Sequence, residues 1–234
     1  MTPATAGMHA RENLGVLAQS EKRLLVWIAR RLPDVIGSDH LSALGFIAMA
    51  FAGLSFVAYR VTPWAAAGVV VSLLANWFGD SLDGTVARVR NQQRPRYGFY
   101  IDHVIDIAGT TFLVGGMACS GLMNPLVGLA VLCVFLMVSA ESYLATHAAG
   151  VFRMSFFGCG PTELRIVIAA GAIKAAISPW AAVGPLTGVK LFDVGGVVAI
   201  VGLTVAFVAA SIRNTRALYR AEPLPADGRK SRAA

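Results

Sequence analysis

Charged residues are scarce in this sequence. Only 14% of its 234 residues are Asp, Glu, Lys or Arg, whereas 56% are hydrophobic. Soluble globular domains carry roughly 25% charged residues. Pro-rich and Gly/Ser-rich linkers are also missing, so nothing divides the chain into separate domains. The shortage of charge excludes an ordinary water-soluble domain and predicts an integral membrane protein.

Cysteine is the second deficit. Cys119, Cys133 and Cys159 are an odd number, and no CxxC spacing occurs. Two of them lie in apolar stretches, where cysteine behaves as a small hydrophobic residue. We therefore expect neither a disulfide framework nor a zinc site built on cysteine.

Long apolar stretches are abundant instead. Six of them approach the roughly 20 residues that a helix needs to cross a hydrocarbon layer about 30 Å thick. They cover residues 40–58, 63–91, 98–122, 125–147, 163–182 and 191–212. We predict an all-α integral membrane fold with six transmembrane helices in one domain, 39–215, between an N-terminal segment, 1–38, and a basic tail, 216–234.

The N-terminal segment has no apolar core followed by a small-residue cleavage site, so it does not resemble a signal peptide. Residues 23–31 combine apolar side chains with flanking cations. That pattern is typical of an amphipathic helix lying in the membrane interface. An ordinary solvated segment is the alternative.

Positive charge is distributed unevenly along the chain. All lysines and arginines except Arg60, Lys174 and Lys190 lie in the N-terminal segment, after Ile212, or in and beside the second-to-third and fourth-to-fifth connections. The positive-inside rule assigns these regions to the cytoplasm. We therefore expect an inner or plasma membrane protein with both termini inside. Its net charge of +7 suits anionic lipid head groups rather than nucleic acid, because no soluble domain is available to bind the latter.

Four acidic residues stand out because they lie at the ends of predicted spans: Asp80 and Asp83, then Asp102 and Asp106. Acidic side chains at membrane depth are costly and are functional by default. Spacings of three and four residues put each pair on one helix face. The short connection predicts that the second and third spans are antiparallel neighbours, with both pairs converging at the cytoplasmic boundary.

Such a cluster of carboxylates would repel itself unless cations neutralised it. Hard oxygen ligands favour Mg²⁺ or Mn²⁺, with Ca²⁺ possible, and these ions often bind phosphate groups of a substrate. His103 points about 100° away from Asp102 along the helix, so we assign it a supporting or packing role. Arg88 can serve as a phosphate-binding cation or as a simple cytoplasmic anchor.

These residues form one run, Asp80-x2-Asp83-Gly84-x2-Ala87-Arg88-x9-Gly98-x3-Asp102-x3-Asp106. The run resembles the signature of the CDP-alcohol phosphotransferase family. It departs from the commonest form by one extra residue between Arg88 and Gly98, which a loop can absorb. By motif the resemblance covers residues 80–106, and by topology it extends loosely over 40–215.

The resemblance implies an enzyme of phospholipid biosynthesis that uses one or two Mg²⁺ or Mn²⁺ ions, releases CMP and forms a homodimer. The four aspartates would hold metal against the diphosphate of a CDP-linked donor. Asp106 would be the general base for the hydroxyl of an alcohol acceptor. The nucleotide site would comprise Asp80, Asp83, Gly84, Ala87, Arg88 and Gly98.

A second polar group lies downstream and suggests the acceptor site: Glu141, Arg153, Glu163 and Arg165. Glu163 is explained equally well as the start of a helix. No basic cluster of the kind expected for an inositol-phosphate acceptor is present, so glycerol phosphate, an amino alcohol and serine all remain open. We favour CDP-diacylglycerol as donor, with a CDP-choline or CDP-ethanolamine donor and diacylglycerol acceptor as the alternative.

Two further functions compete with this one. An intramembrane prenyltransferase would use Asn76-x3-Asp80 and Asp102-x3-Asp106, although such enzymes carry well-separated motifs in a longer chain. A non-enzymatic cation carrier or channel would use the four carboxylates as an ion site. CMP-dependent thermal stabilisation would argue against the carrier.

Overall fold

The computed structural model describes residues 18–149, 160–181 and 188–222. Within these ranges the chain is helical, apart from turns and one isolated bridge between Trp180 and Lys190. The all-α prediction is confirmed for this part of the chain. The helices are α1 (Ala18–Ala29), α2 (Ser38–Ala58), α3 (Ala65–Val89), α4 (Pro95–Cys119), α5 (Pro125–Ala149), α6 (Pro161–Ile177) and α7 (Leu191–Ala221).

Each predicted apolar stretch coincides with one of the helices α2 to α7, although several ends differ. Helix α4 begins at Pro95 rather than at residue 98, because proline is accommodated in the first turn of a helix. Helix α6 ends at Ile177 instead of residue 182, shortly before Pro179. Helix α7 continues to Ala221, so the first part of the predicted tail is helical.

Four helices are long and apolar enough to cross a membrane: Ser38–Ala58, Ala65–Val89, Pro125–Ala148 and Leu191–Ala221. Helix α4 carries two aspartates in its interior, and α6 has only 17 residues. The protein is thus a helical membrane protein. That α4 and α6 also cross the bilayer remains a prediction.

Helices α2 to α7 contact one another in a closed cycle. Helix α2 packs on α3, which packs on α6; α6 contacts α7, which packs on α5; and α5 packs on α4, which returns to α2. The expectation that α3 and α4 would be direct neighbours is wrong, because both pack mainly on α2 and make little contact with each other. Helix α2 is thus the common packing partner of the two helices that carry the motif aspartates.

Close packing against α2 fixes the positions of both motif helices. A Cβ atom at Gly79 would lie 2.5 Å from the carbonyl oxygen of Leu41 and 2.6 Å from the amide nitrogen of Gly45. Further along α2, a Cβ at Gly116 would collide with the backbone of Gly53. Glycine therefore allows α3 and α4 to approach the backbone of α2 without a side chain between them.

Apolar side chains fill one end of the helix cycle. Buried residues from α2, α3, α4, α6 and α7 meet there, among them Ala52, Phe56, Val69, Leu73, Leu113, Met117, Ala172 and Phe192. These residues lie late in α2, α4 and α6 and early in α3 and α7, away from the aspartates. The motif aspartates therefore lie at the opposite end of the helices.

Helix α1 packs against the C-terminal half of α3. Its Leu25 and Ala29 are buried against Leu82 and Val86. The outer face exposes Trp27, whose ring lies 4.0 Å beneath the guanidinium carbon of Arg31. The helix predicted around residues 23–31 is present, whereas its location in the membrane interface remains a prediction.

Candidate active site

Three of the four motif aspartates converge. Asp80 of α3 and Asp102 and Asp106 of α4 each offer one carboxylate oxygen, and these oxygens lie within 4.8 Å of one another. All three side chains are half-buried. We call these residues the aspartate cluster. Its oxygens are close enough to share a hard divalent cation.

Asp83 is oriented differently. Its carboxylate accepts a hydrogen bond of 2.6 Å from the Ser42 hydroxyl of α2 and a second from the backbone amide of Gly84. It therefore points towards α2 and does not belong to the set of converging oxygens. The structure brings together three of the four predicted metal ligands, with the fourth one turn away on the same helix.

Arg165 approaches the aspartate cluster from α6. Its guanidinium donates to Asp80 Oδ2, and its Nε donates to Asn76 Oδ1 at 2.7 Å. The Asn76 amide is buried and donates in turn to the carbonyl oxygen of Gly45 at 2.9 Å. These contacts fix the orientation of the amide and set one positive charge against the cluster.

The predicted nucleotide residues lie near the C-terminal end of α3 and the N-terminal end of α4. A Cβ atom at Gly84 would be 3.3 Å from an Arg88 guanidinium nitrogen, so the missing side chain leaves room for that group. Arg88 also donates to Thr85 Oγ1 at 3.1 Å and is exposed. Gly98 is exposed, with open space where its side chain would be, and Ala87 is half-buried.

The connection between α3 and α4 is held by arginines. Arg94 makes two hydrogen bonds of 2.6 Å to Asp39, which raise the pKa of its guanidinium above the usual value. Arg90 donates to the carbonyl oxygens of Leu32 and Ile36 at 2.9 and 2.8 Å. The loop that contains the extra motif residue is thereby tied to the α1–α2 connection and to the first turn of α2.

Of the four predicted acceptor residues, only Arg165 reaches the aspartate cluster within the described chain. Glu141 accepts a hydrogen bond of 2.7 Å from Asn214 of α7. Glu163 accepts one of 3.0 Å from the Gly160 amide, which bears out its role at the start of α6. Arg153 lies outside the described residues.

Sequence reasoning did not assign Asn76 or Tyr143 to the proposed site. Asn76 entered only the prenyltransferase alternative, although a polar residue in an apolar run one turn before Asp80 could have identified it. Tyr143 of α5 interacts electrostatically with Asp102 and Asp106, and its ring meets His103 edge-on at 5.0 Å. His103 is buried and contacts the Phe99 carbonyl through Nδ1 at 2.6 Å, in agreement with the predicted packing role.

Comparisons with known proteins agree with this arrangement. One solved structure with the same fold is that of Mycobacterium tuberculosis phosphatidylinositol phosphate synthase with CDP-DAG bound, which is 20% identical in sequence with a TM-score of 0.59. The alignment covers 84% of this chain and 94% of that one. No curated protein sequence matches significantly. The CDP-alcohol phosphatidyltransferase family matches residues 38–212, and the chain belongs to that family.

Proposed function

We propose that the protein transfers a phosphatidyl group from CDP-diacylglycerol to the hydroxyl of a polar alcohol and releases CMP. Membership of the family makes it a transferase of phospholipid synthesis. The observation that carries the proposed chemistry is the convergence of Asp80, Asp102 and Asp106 within the family motif. The structural relative was crystallised with CDP-DAG bound, which supports the choice of donor.

The residues present fit a divalent metal. The aspartate cluster supplies three hard oxygen ligands within 4.8 Å, and the described residues around it contribute no sulfur ligand. We propose Mg²⁺ or Mn²⁺ at the aspartate cluster. Asp83 would be the fourth ligand once its carboxylate turns away from the Ser42 hydroxyl. Bound there, the ion would offset the negative charge of the donor diphosphate and of the departing CMP.

Asp106 is the proposed general base. It would accept the proton of the acceptor hydroxyl while the hydroxyl oxygen bonds to the phosphorus that bears the lipid. The bond from that phosphorus to the bridging oxygen breaks, and its electron pair leaves with CMP.

We propose that the nucleotide lies beside Gly84, Ala87, Arg88 and Gly98. The exposed Arg88 guanidinium can bind a phosphate oxygen, and the small residues allow close approach to backbone. This site opens at the cytoplasmic ends of α3 and α4.

Arg165 is the residue we propose for the acceptor site. It forms a salt bridge with Asp80 of the cluster, and it can pair with a phosphate or carboxylate of the acceptor. Glu141 already accepts a hydrogen bond from Asn214, and Glu163 accepts one from the backbone at the start of α6. Both interactions argue against a role for these residues in acceptor binding. A CDP-choline or CDP-ethanolamine donor with diacylglycerol as acceptor remains the alternative within the family.

The proposed setting is a multi-pass protein of the inner or plasma membrane, with its termini and active site facing the cytoplasm. The arginines of the α3–α4 connection and of α7 support that orientation. We also propose a homodimer, which light scattering of the purified protein in detergent would test. The family match decides against the prenyltransferase and cation-carrier alternatives.

CMP release from CDP-diacylglycerol in mixed micelles with Mg²⁺ or Mn²⁺ tests the proposal. A panel of glycerol phosphate, inositol phosphate, serine and ethanolamine identifies the acceptor. Asp106→Asn is expected to abolish release, whereas the matched change Asp34→Asn, at a fully exposed side chain, is expected to leave it intact. If none of these acceptors supports CMP release, the choice of donor is overturned, and the assay is repeated with CDP-choline and diacylglycerol.

A further inference from the structure

Glu21 of α1 connects two helices that carry the active site. A single carboxylate oxygen, Oε1, accepts a hydrogen bond of 2.7 Å from Trp77 Nε1 of α3 and another of 2.9 Å from Thr162 Oγ1 of α6. All three side chains are half-buried. Hydrogen bonds to a charged acceptor are stronger than neutral ones, especially when water is partly excluded.

Both partners of Glu21 lie one helical turn from the Arg165–Asp80 ion pair. Trp77 precedes Asp80 by three residues on α3, and Thr162 precedes Arg165 by three residues on α6. Residues three apart share a helix face. Glu21 therefore braces the same faces of α3 and α6 that the ion pair joins.

The carboxylate of Glu21 is itself held in place. Leu25 follows it by one turn of α1 and is buried against Leu82 and Val86 of α3. Packing of this kind anchors α1 independently of the Glu21 hydrogen bonds. The hydrogen bond from Thr162 to Glu21 consequently holds the first turn of α6 in a fixed position relative to α1.

We propose that Glu21 is a positioning residue, which holds the first turn of α6 so that the Arg165 guanidinium stays on Asp80 at the edge of the aspartate cluster. A displacement of α6 by about 1 Å would break hydrogen bonds of this length. The inference rests on the proposed function only in that Arg165 serves the acceptor. An N-terminal helix outside the motif thus sets the geometry of the acceptor side of the site.

Kinetics of Glu21 variants test this role. Glu21→Ala and Thr162→Val are expected to raise the acceptor KM about fivefold, the equivalent of one hydrogen bond, with a smaller change in the donor KM. Glu21→Gln retains an accepting oxygen and is expected to rescue the acceptor KM. Lys22→Gln, at the exposed neighbouring position, is the matched control. A loss of kcat with unchanged acceptor KM would overturn the proposal, because it would indicate a smaller folded fraction instead.

A double-mutant cycle with Arg165→Ala tests whether Glu21 acts through Arg165. If Glu21 acts through Arg165, then Glu21→Ala causes no further rise of the acceptor KM in that background. If the double variant instead shows the product of the two single increases in acceptor KM, the proposal is overturned.

Mn²⁺ binding, followed by the paramagnetic resonance of the free ion, requires no turnover. Loosening Arg165 removes a positive charge from Asp80, so Glu21→Ala is expected to tighten Mn²⁺ binding about threefold. Equal Mn²⁺ affinity in the variant and the unmodified protein would overturn the inference. This measurement separates it from the proposed function, which fails only if no CMP is released.

Discussion

Replacing Gly79 with alanine tests whether close packing of α3 on α2 sets the position of Asp80. The added Cβ would lie 2.5 Å from the Leu41 carbonyl oxygen and 2.6 Å and 2.9 Å from the nitrogen and Cα of Gly45. All of these are backbone atoms, which cannot rotate away as a side-chain end could. Restoring an ordinary contact requires the two helices to separate by about 0.9 Å.

The expected cost follows from that displacement. Overpacking of a tight contact costs about 1–3 kcal/mol, and the better helix propensity of alanine returns about 1 kcal/mol. The free energy of unfolding should therefore fall by up to about 2 kcal/mol, which lowers Tm by up to about 8 °C for a domain of this size. Asp80 follows Gly79 directly, so a shift approaching 1 Å should reduce CMP release by about tenfold to a hundredfold.

Two measurements check this result. Thermal unfolding in detergent gives Tm, and CMP release at saturating substrates gives kcat. Gly202→Ala on α7 is the matched control, because nothing lies within 4 Å of its added Cβ, and its Tm should be unchanged or higher. A Gly79→Ala protein as stable and as active as the Gly202→Ala protein would refute the packing argument.

Further predictions concern the site itself. Chelation of divalent metal should abolish CMP release, and adding back Mg²⁺ or Mn²⁺, but not Ca²⁺ at the same concentration, should restore it. Arg165→Lys cannot contact both Asp80 and Asn76, so activity should fall about tenfold while the folded protein persists on size exclusion. Glu141→Gln keeps an oxygen to accept from Asn214, so the acceptor KM should stay within about twofold of the original value, and a larger rise would return Glu141 to the acceptor site.

The helices and the motif were accessible from the sequence because both depend on local periodicity. An apolar run of about 20 residues forms a helix in lipid whatever surrounds it. Likewise, the three-residue and four-residue spacings of the aspartates fix which side chains share a face. Helix ends were less accessible: α4 starts earlier at Pro95, and α7 extends into the charged residues that had been assigned to a tail.

Which helices pack against each other could not be predicted from local periodicity. The short loop between α3 and α4 suggested direct packing, yet both helices lie on α2 because its glycines allow backbone approach. Nothing in the spacing of the aspartates reveals which third helix they pack on. Asp83 points towards Ser42 for the same reason, because the packing of α3 on α2 brings that hydroxyl within hydrogen-bond distance.

The partner of Arg165 was equally hidden. The sequence analysis grouped Arg165 with Glu141 in one downstream polar region that was assigned to the acceptor. The order of helices around the cycle places α6 beside α3, whereas α5 lies beside α4 and α7. Arg165 therefore meets Asp80 and Asn76, and Glu141 meets Asn214 instead.

This helix order also explains the division of roles at the site. Helices α3 and α4 supply the carboxylates, α6 supplies a cation from one side, and α5 contributes the aromatic ring of Tyr143 from the other. Helices α3 and α4 both pack on α2 and scarcely on each other, so their carboxylates meet although the two helices do not pack closely together. The shared partner α2, rather than the short α3–α4 connection, therefore sets the geometry of the aspartate cluster.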